Sequence, residues 1–474
     1  MLREINVAVV SLGLALGAAG CGNFLTGDKL TNDPNNPSQA TPEQLFVGVQ
    51  ANMFSSQENS VAMTVCMWMQ QCMGVGGRFV DQFAHYTIDE FSWDGNWFQT
   101  YSSGGLVDLR KIEAAERTAG DSVFLGIAKV WEAFDMGVAA DLWGDVPYSE
   151  TAGSNPTPAL DSQASVYAAV QTLLSEAIVE LGGPGAGPRG GDLVYAGDAT
   201  KWIAAAHTLK ARFLLHTVEG AANKALVYGA VITEATAGIP DTSGDLLAFH
   251  SSATPERNIW YQFQTTTFGQ DVVAGKVLVD IMKARTDPRL PEYFGKNGGG
   301  GYGGEDANNP QPSDSISPLS GSLRMCPTSS SCGAFRQPLV THQENELILA
   351  EAYQQTSQDA NALIHLNNAR GVAGLSTLVG ITTATGLLDS IMVEKYVTLF
   401  ENIEVWNDYR RMCRPASLIP FLQANGASPI WRNKIPGRLY YSGSEMNVNP
   451  HIPDPSTQVA TNGFRNPNDT ADCP

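Results

Sequence analysis

The stretch Ala-Lys-Val-Trp-Glu-Ala-Phe-Asp-Met-Gly-Val-Ala-Ala-Asp-Leu-Trp-Gly-Asp-Val-Pro-Tyr-Ser-Glu, residues 128–150, decides the fold. Together with the residues before it, it puts Val123, Ile127, Val130, Phe134 and Val138 at steps of three and four, one face of an α-helix. Gly144 and Pro147 end that helix, because glycine accepts the turn and proline cannot continue the ladder. Other runs repeat the pattern. Val166, Val170, Leu173, Ala177 and Leu181 line one predicted helix; Trp202, Ala206, Leu209 and Phe213 line a second; Leu347, Ala350 and Tyr353 mark a third. Leu388, Met392, Tyr396, Leu399, Ile403 and Trp406 read as the longest helix of all. Pro42 and Glu43 open an earlier one behind a Thr41 cap. These helices come in loosely spaced pairs, as in tetratricopeptide-type repeats. Gly-, Pro- and Ser-rich insertions at 184–191, 241–249 and 296–332 separate them. The sequence therefore predicts a mostly α-helical scaffold carrying a loop-rich face, and loops this long tend to be functional.

The chain has 474 residues, of which 43% are hydrophobic, enough for a large core. Its net charge of −19 argues against a nucleic-acid partner, whose phosphates need a basic surface. It equally opposes electrostatic attachment to anionic lipid. Residues 1–20 read as a lipoprotein signal peptide: Arg3, an apolar run from Ile5 to Leu16, then Gly-Ala-Ala-Gly before Cys21. Cys21 is the expected lipidation site, although Ala18 stands where leucine is commonest. Residues 21–41 read as an extended Pro- and Asn-rich tether, and 42–474 as a single α-helical domain. Beyond the signal peptide no run reads as long and apolar enough to span a membrane.

Setting Cys21 aside leaves six cysteines, an even number that suggests disulfides in an exported chain and allows about 15 connectivities. Cys326 and Cys332 flank a Ser-rich loop and can close it. Cys66 and Cys72 share that spacing inside predicted helix. Six helical residues rise about 9 Å, so a bond there requires a break.

Neither Gly-x-Ser-x-Gly nor His-Glu-x-x-His occurs. Asp141, Asp145 and Glu150 surround the turn as the one carboxylate group suited to glycoside cleavage, but turn shaping accounts for them more simply. The histidines, among them His207, His216 and His342, lack metal-ligand spacing, so neither metal nor cofactor is expected. Aromatic residues are denser in information. Trp93 and Asn96 sit in the crowded stretch Phe91–Tyr101, with Trp68 upstream, Trp260 downstream and Tyr302 in the Gly-rich loop. Flat rings stack on sugar faces and amides bond hydroxyls, so Trp93, Asn96, Trp68, Trp260 and Tyr302 are the ligand-binding candidates. Trp97 and Tyr101, four apart, read as core.

Eight blocks in order resemble the SusD/RagB family. They begin with Asp33-Pro-Asn-Asn-Pro37 and Ala40-Thr-Pro-Glu-Gln-Leu45, then Trp97-Phe-Gln-Thr-Tyr101, Leu142-Trp-Gly-Asp-Val-Pro-Tyr-Ser-Glu150, and the helix Lys201–Arg212. Asp287-Pro-Arg-Leu-Pro-Glu-Tyr293, Glu344–Ala352, Glu394–Phe400 with Trp406–Arg411, and Ile435–Tyr441 complete the series. The resemblance implies a SusD-like fold with a tetratricopeptide-like scaffold, outer-membrane lipid anchoring and cell-surface exposure. It also implies a lid over a SusC-like TonB-dependent transporter barrel, binding of glycans or, in the RagB branch, peptides, and no enzymatic activity. Trp143 and Arg411 are then packing or interface residues. The expected function is capture of an oligomeric nutrient, a glycan foremost. Oligopeptide binding is the alternative, and a surface structural or interaction protein that has kept the fold without uptake is the third.

Overall fold

The structure is a computed structural model and describes residues 40–102, 104–151, 155–381, 383–422 and 434–474. The expected signal peptide, the Cys21 lipidation site and the tether through residue 39 lie outside the described residues.

Helix α1 (Pro42–Glu58) starts at the predicted cap. The Gln44 backbone N–H donates to the Thr41 hydroxyl and the Thr41 N–H donates to the Gln44 side chain, a reciprocal capping box. Helices α2 (Ser60–Trp68), α3 (Asp94–Tyr101), α4 (Leu106–Ala119), α5 (Ser122–Trp143), α6 (Gln163–Leu181), α7 (Ala199–Thr217) and α8 (Lys224–Thr236) follow. The middle of the chain holds only short helices, α9 (Ile259–Gln264), α10 (Lys276–Ala284) and α11 (Leu290–Tyr293). Long ones resume with α12 (His342–Gln355), α13 (Asp359–Val372), α14 (Ala384–Thr398) and α15 (Glu404–Met412), and α16 (Gly443–Met446) and α17 (Pro455–Ala460) close the series. Two small antiparallel pairs join the loops: β1 (Cys72–Gly74) with β3 (Val272–Ala274), Cys72 opposite Ala274, and β2 (Leu246–Leu247) with β4 (Pro338–Val340).

The long helices pack on their neighbours in series. α4 lies on α5, α5 on α6, α6 on α7, α7 on α8, α8 on α12, and α12 on both α13 and α14. That is the neighbour-to-neighbour stacking of helical repeats. The decisive stretch is α5, buried along almost its whole length because α4 and α6 cover it from two sides. Gly137 lets α7 approach; a Cβ there would fall 2.2 Å from the Phe213 ring. Gly144 ends α5 at φ +80°, where a side chain would strain the backbone. The turn is then held by Asp161, whose backbone bridges Val146 and whose carboxylate accepts from the N–H groups of Tyr148 and Ser149. Trp143 anchors the C-terminal segment by donating from Nε1 to the Tyr440 carbonyl.

Three sequence expectations need correction. The periodic run 388–406 is two helices, α14 and α15. Glu401 takes φ +59° and the Glu404 N–H donates to the Asn402 side chain, so a turn replaces the ladder while Met392, Tyr396, Leu399, Ile403 and Trp406 stay buried. Helix α6 is by length and composition apolar enough to cross a membrane. Here Val166, Val170, Leu174 and Ala177 instead face α5 and α7 as core. Finally, the helix expected through Cys66 and Cys72 breaks, and the two bond. Helix α2 stops at Trp68, Gln70 adopts φ +53°, and the chain doubles back until the two Cα atoms are 5.3 Å apart. Cys326 pairs with Cys332 as expected, and Cys413 pairs with Cys473.

Candidate functional site

Burial decides the fate of the aromatic candidates. Trp68 is fully buried; its Nε1 donates to the Phe83 carbonyl at 3.0 Å, and its ring meets Tyr86, Trp93 and Trp406 edge-on. Trp93 at the N-cap of α3 is 3% exposed and Trp260 is fully buried. Asn96 is buried too: its Oδ1 accepts from the Ser60 hydroxyl and its Nδ2 donates to Gln99. Tyr302 is half-buried against the core. The structure thus brings Trp68 and Trp93 together but turns Trp68, Trp93 and Trp260 inward. Large rings with edge-on partners gain more from burial than from a wet surface, and no face is left for a ligand to stack on. Trp97 and Tyr101 pack with centroids 5.0 Å apart, as their spacing predicts.

The buried tryptophans instead support a surface layer. Trp68 touches Tyr86 and bonds the π-turn Phe79–Ala84 that leads into His85. The Tyr86 hydroxyl accepts from the Phe421 N–H at 3.1 Å. Burial pushes that phenol far above its ordinary pKa, so it stays neutral. Phe421 then lies flat on the His85 imidazole, centroids 3.7 Å apart and planes 6° from parallel, with both rings half-buried. Asn308 locks this platform: its Nδ2 donates to the Pro420 carbonyl and its Oδ1 accepts from the Leu422 N–H. Gln70 donates to the Ile419 carbonyl. Ile419 and Leu422 flank the stack, 54% and 51% exposed.

Two non-glycine residues at this place, Gln70 and Tyr86 (φ +59°), hold the left-handed conformation. Such backbone costs about 1–3 kcal/mol per residue and gathers at functional sites. Around the same loops Arg78 lies over the Phe79 ring at 5.2 Å, and Asp271 closes on Gly76, where a Cβ would fall 2.2 Å from its carboxylate. A flat, partly exposed ring pair beside an amide and apolar side chains suits a ligand with alternating C–H and hydroxyl faces. Sequence reasoning missed His85 and Phe421, which lie 336 positions apart and carry no shared period. A lone Tyr-adjacent histidine gives no signal of its own.

The carboxylates of the turn do not form a catalytic pair. Asp145 accepts from the Gln163 N–H as a helix cap, and Glu150 accepts from Asn155 and the Ala159 N–H. Asp141 is buried and joins a group that the sequence did not reveal, Asp141–His216–Glu404. His216 sits between the two acids, Nδ1 2.7 Å from Asp141 and Nε2 2.6 Å from Glu404. Burial alone would lower its pKa, yet the flanking carboxylates outweigh it and lift the imidazole to about 9. Each ring nitrogen thus faces a carboxylate, which favours the charged imidazolium. The group is an ion-paired tie between α5, α7 and α15.

Comparison with known proteins bears on this arrangement. Residues 34–442 match a SusD-like family model described as starch-binding associating with outer membrane. A search of curated proteins gives no match. Among solved structures, a SusD homologue from Bacteroides fragilis is similar at 18% identity and a TM-score of 0.70, over 91% of this chain and 97% of that one. A chitin-binding SusD homologue from Flavobacterium johnsoniae is similar at 17% identity and 0.68, over 90% and 99%. A SusD/RagB family protein from Bacteroides thetaiotaomicron reaches 22% identity and 0.66, over 90% and 97%.

Proposed function

This chain belongs to the SusD-like family, and from that premise we propose that it is a lipid-anchored, surface-exposed receptor that captures a neutral oligosaccharide. It binds without covalent chemistry and hands the glycan to a SusC-like TonB-dependent barrel in the outer membrane. The observation that carries the reading is the flat His85–Phe421 stack at the surface, braced from below by Trp68 and Tyr86. A pyranose ring lays its C–H face on such a surface while Asn308 and neighbouring backbone groups meet its hydroxyls. The family description as starch-binding and the chitin-binding neighbour support a glycan over a peptide. Cys21 supplies the anchor; an acyl chain contributes about 0.8 kcal/mol per buried methylene, so several chains on one cysteine hold firmly.

The test is purification of the protein from its native outer membrane, followed by a thermal-shift panel of maltohexaose, chitohexaose and mixed oligopeptides. The reading expects co-purification of a large barrel and stabilisation by a hexasaccharide. Stabilisation by peptides alone would transfer the site to the peptide-binding reading. Absence of both barrel and ligand would leave a surface interaction protein.

A further inference from the structure

A second concavity lies away from the ring stack. Its volume is about 390 Å³, and it opens between the disulfide-closed loop, α11, the start of α12 and the end of α14. The sequence leads to it indirectly: the Ser-rich insertion closes through Cys326–Cys332 and so becomes a wall. That wall is built in. Leu323 and Arg324 donate their N–H groups to the Pro291 and Glu292 carbonyls of α11, and the Gly333 N–H donates to Met325 across the loop.

Arg324 is the centre of the cavity. Its guanidinium lies over Phe335 at 4.1 Å and over Phe400 at 5.4 Å, while Tyr293 stacks on Phe400 at 4.4 Å. Phe335 and Tyr293 are half-buried and line the space. Arg324 Nη2 donates to Gln337 and pairs with Glu401, whereas its buried Nε has no partner. Arg289 also lines the wall, held by Asp287, Glu394 and the Thr398 hydroxyl. Asp245, Glu292 and Glu344 line the same space, Asp245 accepting from the His342 N–H and Glu344 from Arg212.

The chemistry of these groups selects a ligand class. An anion meets three carboxylates, Asp245, Glu292 and Glu344. A cation meets two guanidinium groups. A wholly apolar ligand strips water from the exposed Glu292 carboxylate. What satisfies donors, acceptors and aromatic rings together is a neutral, polyhydroxylated ring. We infer that this cavity is a second sugar subsite, taking one neutral pyranose unit beside Phe335 and Tyr293. The inference rests on the glycan reading above but concerns a different place on the molecule.

Leu323 is exposed at the mouth, so Leu323→Trp fills the cavity without touching the core. Calorimetry with maltohexaose, chitohexaose, hexagalacturonate and trilysine on the full chain, on Leu323→Trp and on Phe421→Ala separates the two sites. The cavity reading expects a binding event for a neutral hexasaccharide in addition to the one that Phe421→Ala weakens, and expects Leu323→Trp to weaken that additional event about tenfold or more. Phe335→Ala, which keeps the mouth open but removes the ring, should weaken it similarly. Retention in Leu323→Trp with loss in Phe421→Ala overturns the subsite and leaves the ring stack standing. Retention in Phe421→Ala with loss in Leu323→Trp supports the subsite and removes the stack. Cavity-dependent binding of hexagalacturonate or trilysine in place of the neutral sugars overturns the ligand class. Binding of none of the four probes overturns subsite and glycan reading together.

Discussion

The corner where α12, α14 and α15 meet and the face around Phe421 treat polar groups in opposite ways. In the corner four buried side chains close on one another: Glu351 pairs with Lys395 and Arg411, and Asp408 pairs with the same two cations. Helices fix all four, and their charges are spent internally. On the face, side chains such as Asn308 and Gln70 hold backbone loops, two residues sit in left-handed backbone, and His85 and Phe421 are half-buried. The difference separates a framework whose charges are fixed against one another from the surface proposed to bind. It also explains why Arg411, a shared family block in the sequence, proves to be framework.

The comparison can be broken in several places. The largest expected effect is in the corner. Glu351→Gln removes the charge that both Lys395 and Arg411 face, and breaking a buried pair this way costs about 3–5 kcal/mol. Calorimetric melting should show a clear fall in Tm, with glycan affinity unchanged while the protein stays folded. Next is the Cys413–Cys473 bond, which ties α15 to the C-terminal segment across 60 residues. Cys473→Ser should cost about 2–4 kcal/mol by restoring freedom to the unfolded chain, again without altering the ring stack.

On the face the effects invert. Phe421→Ala should weaken a bound oligosaccharide by about 1–3 kcal/mol, by analogy with other stacked aromatic platforms, while Tm moves little. A smaller effect concerns His216. Its folded pKa is raised from 6.5 to about 9, so the charged form is favoured in the fold. The associated stability is complete below pH 6.5 and is lost as pH rises through about 9. Tm should therefore drift downward on the alkaline side, and His216→Gln should flatten that drift.

Much of the framework was legible in the sequence. The Thr41 cap, the α5 periodicity and the Gly144 stop are local signals, and local signals survive folding. The run 388–406 misled because its apolar spacing continues through a turn that Glu401 and Asn402 impose. The site was less legible. Ring type alone marks Trp68 and Trp93, and composition says nothing of which rings a core will claim. The ring stack joins His85 to Phe421, and the His216 tie joins residues from three helices; both depend on chain paths that no short window contains. Trp68 nonetheless lies beneath Tyr86, and Tyr86 holds Phe421, so one of the tryptophans adjoins the proposed stack.

The most direct test of glycan capture at this face is isothermal titration of maltohexaose and chitohexaose into the intact protein and into Phe421→Ala. The account predicts binding of at least one hexasaccharide, weakened about tenfold or more by the substitution at an unchanged Tm. Equal affinity in the two proteins, or no binding to the intact one, would contradict it.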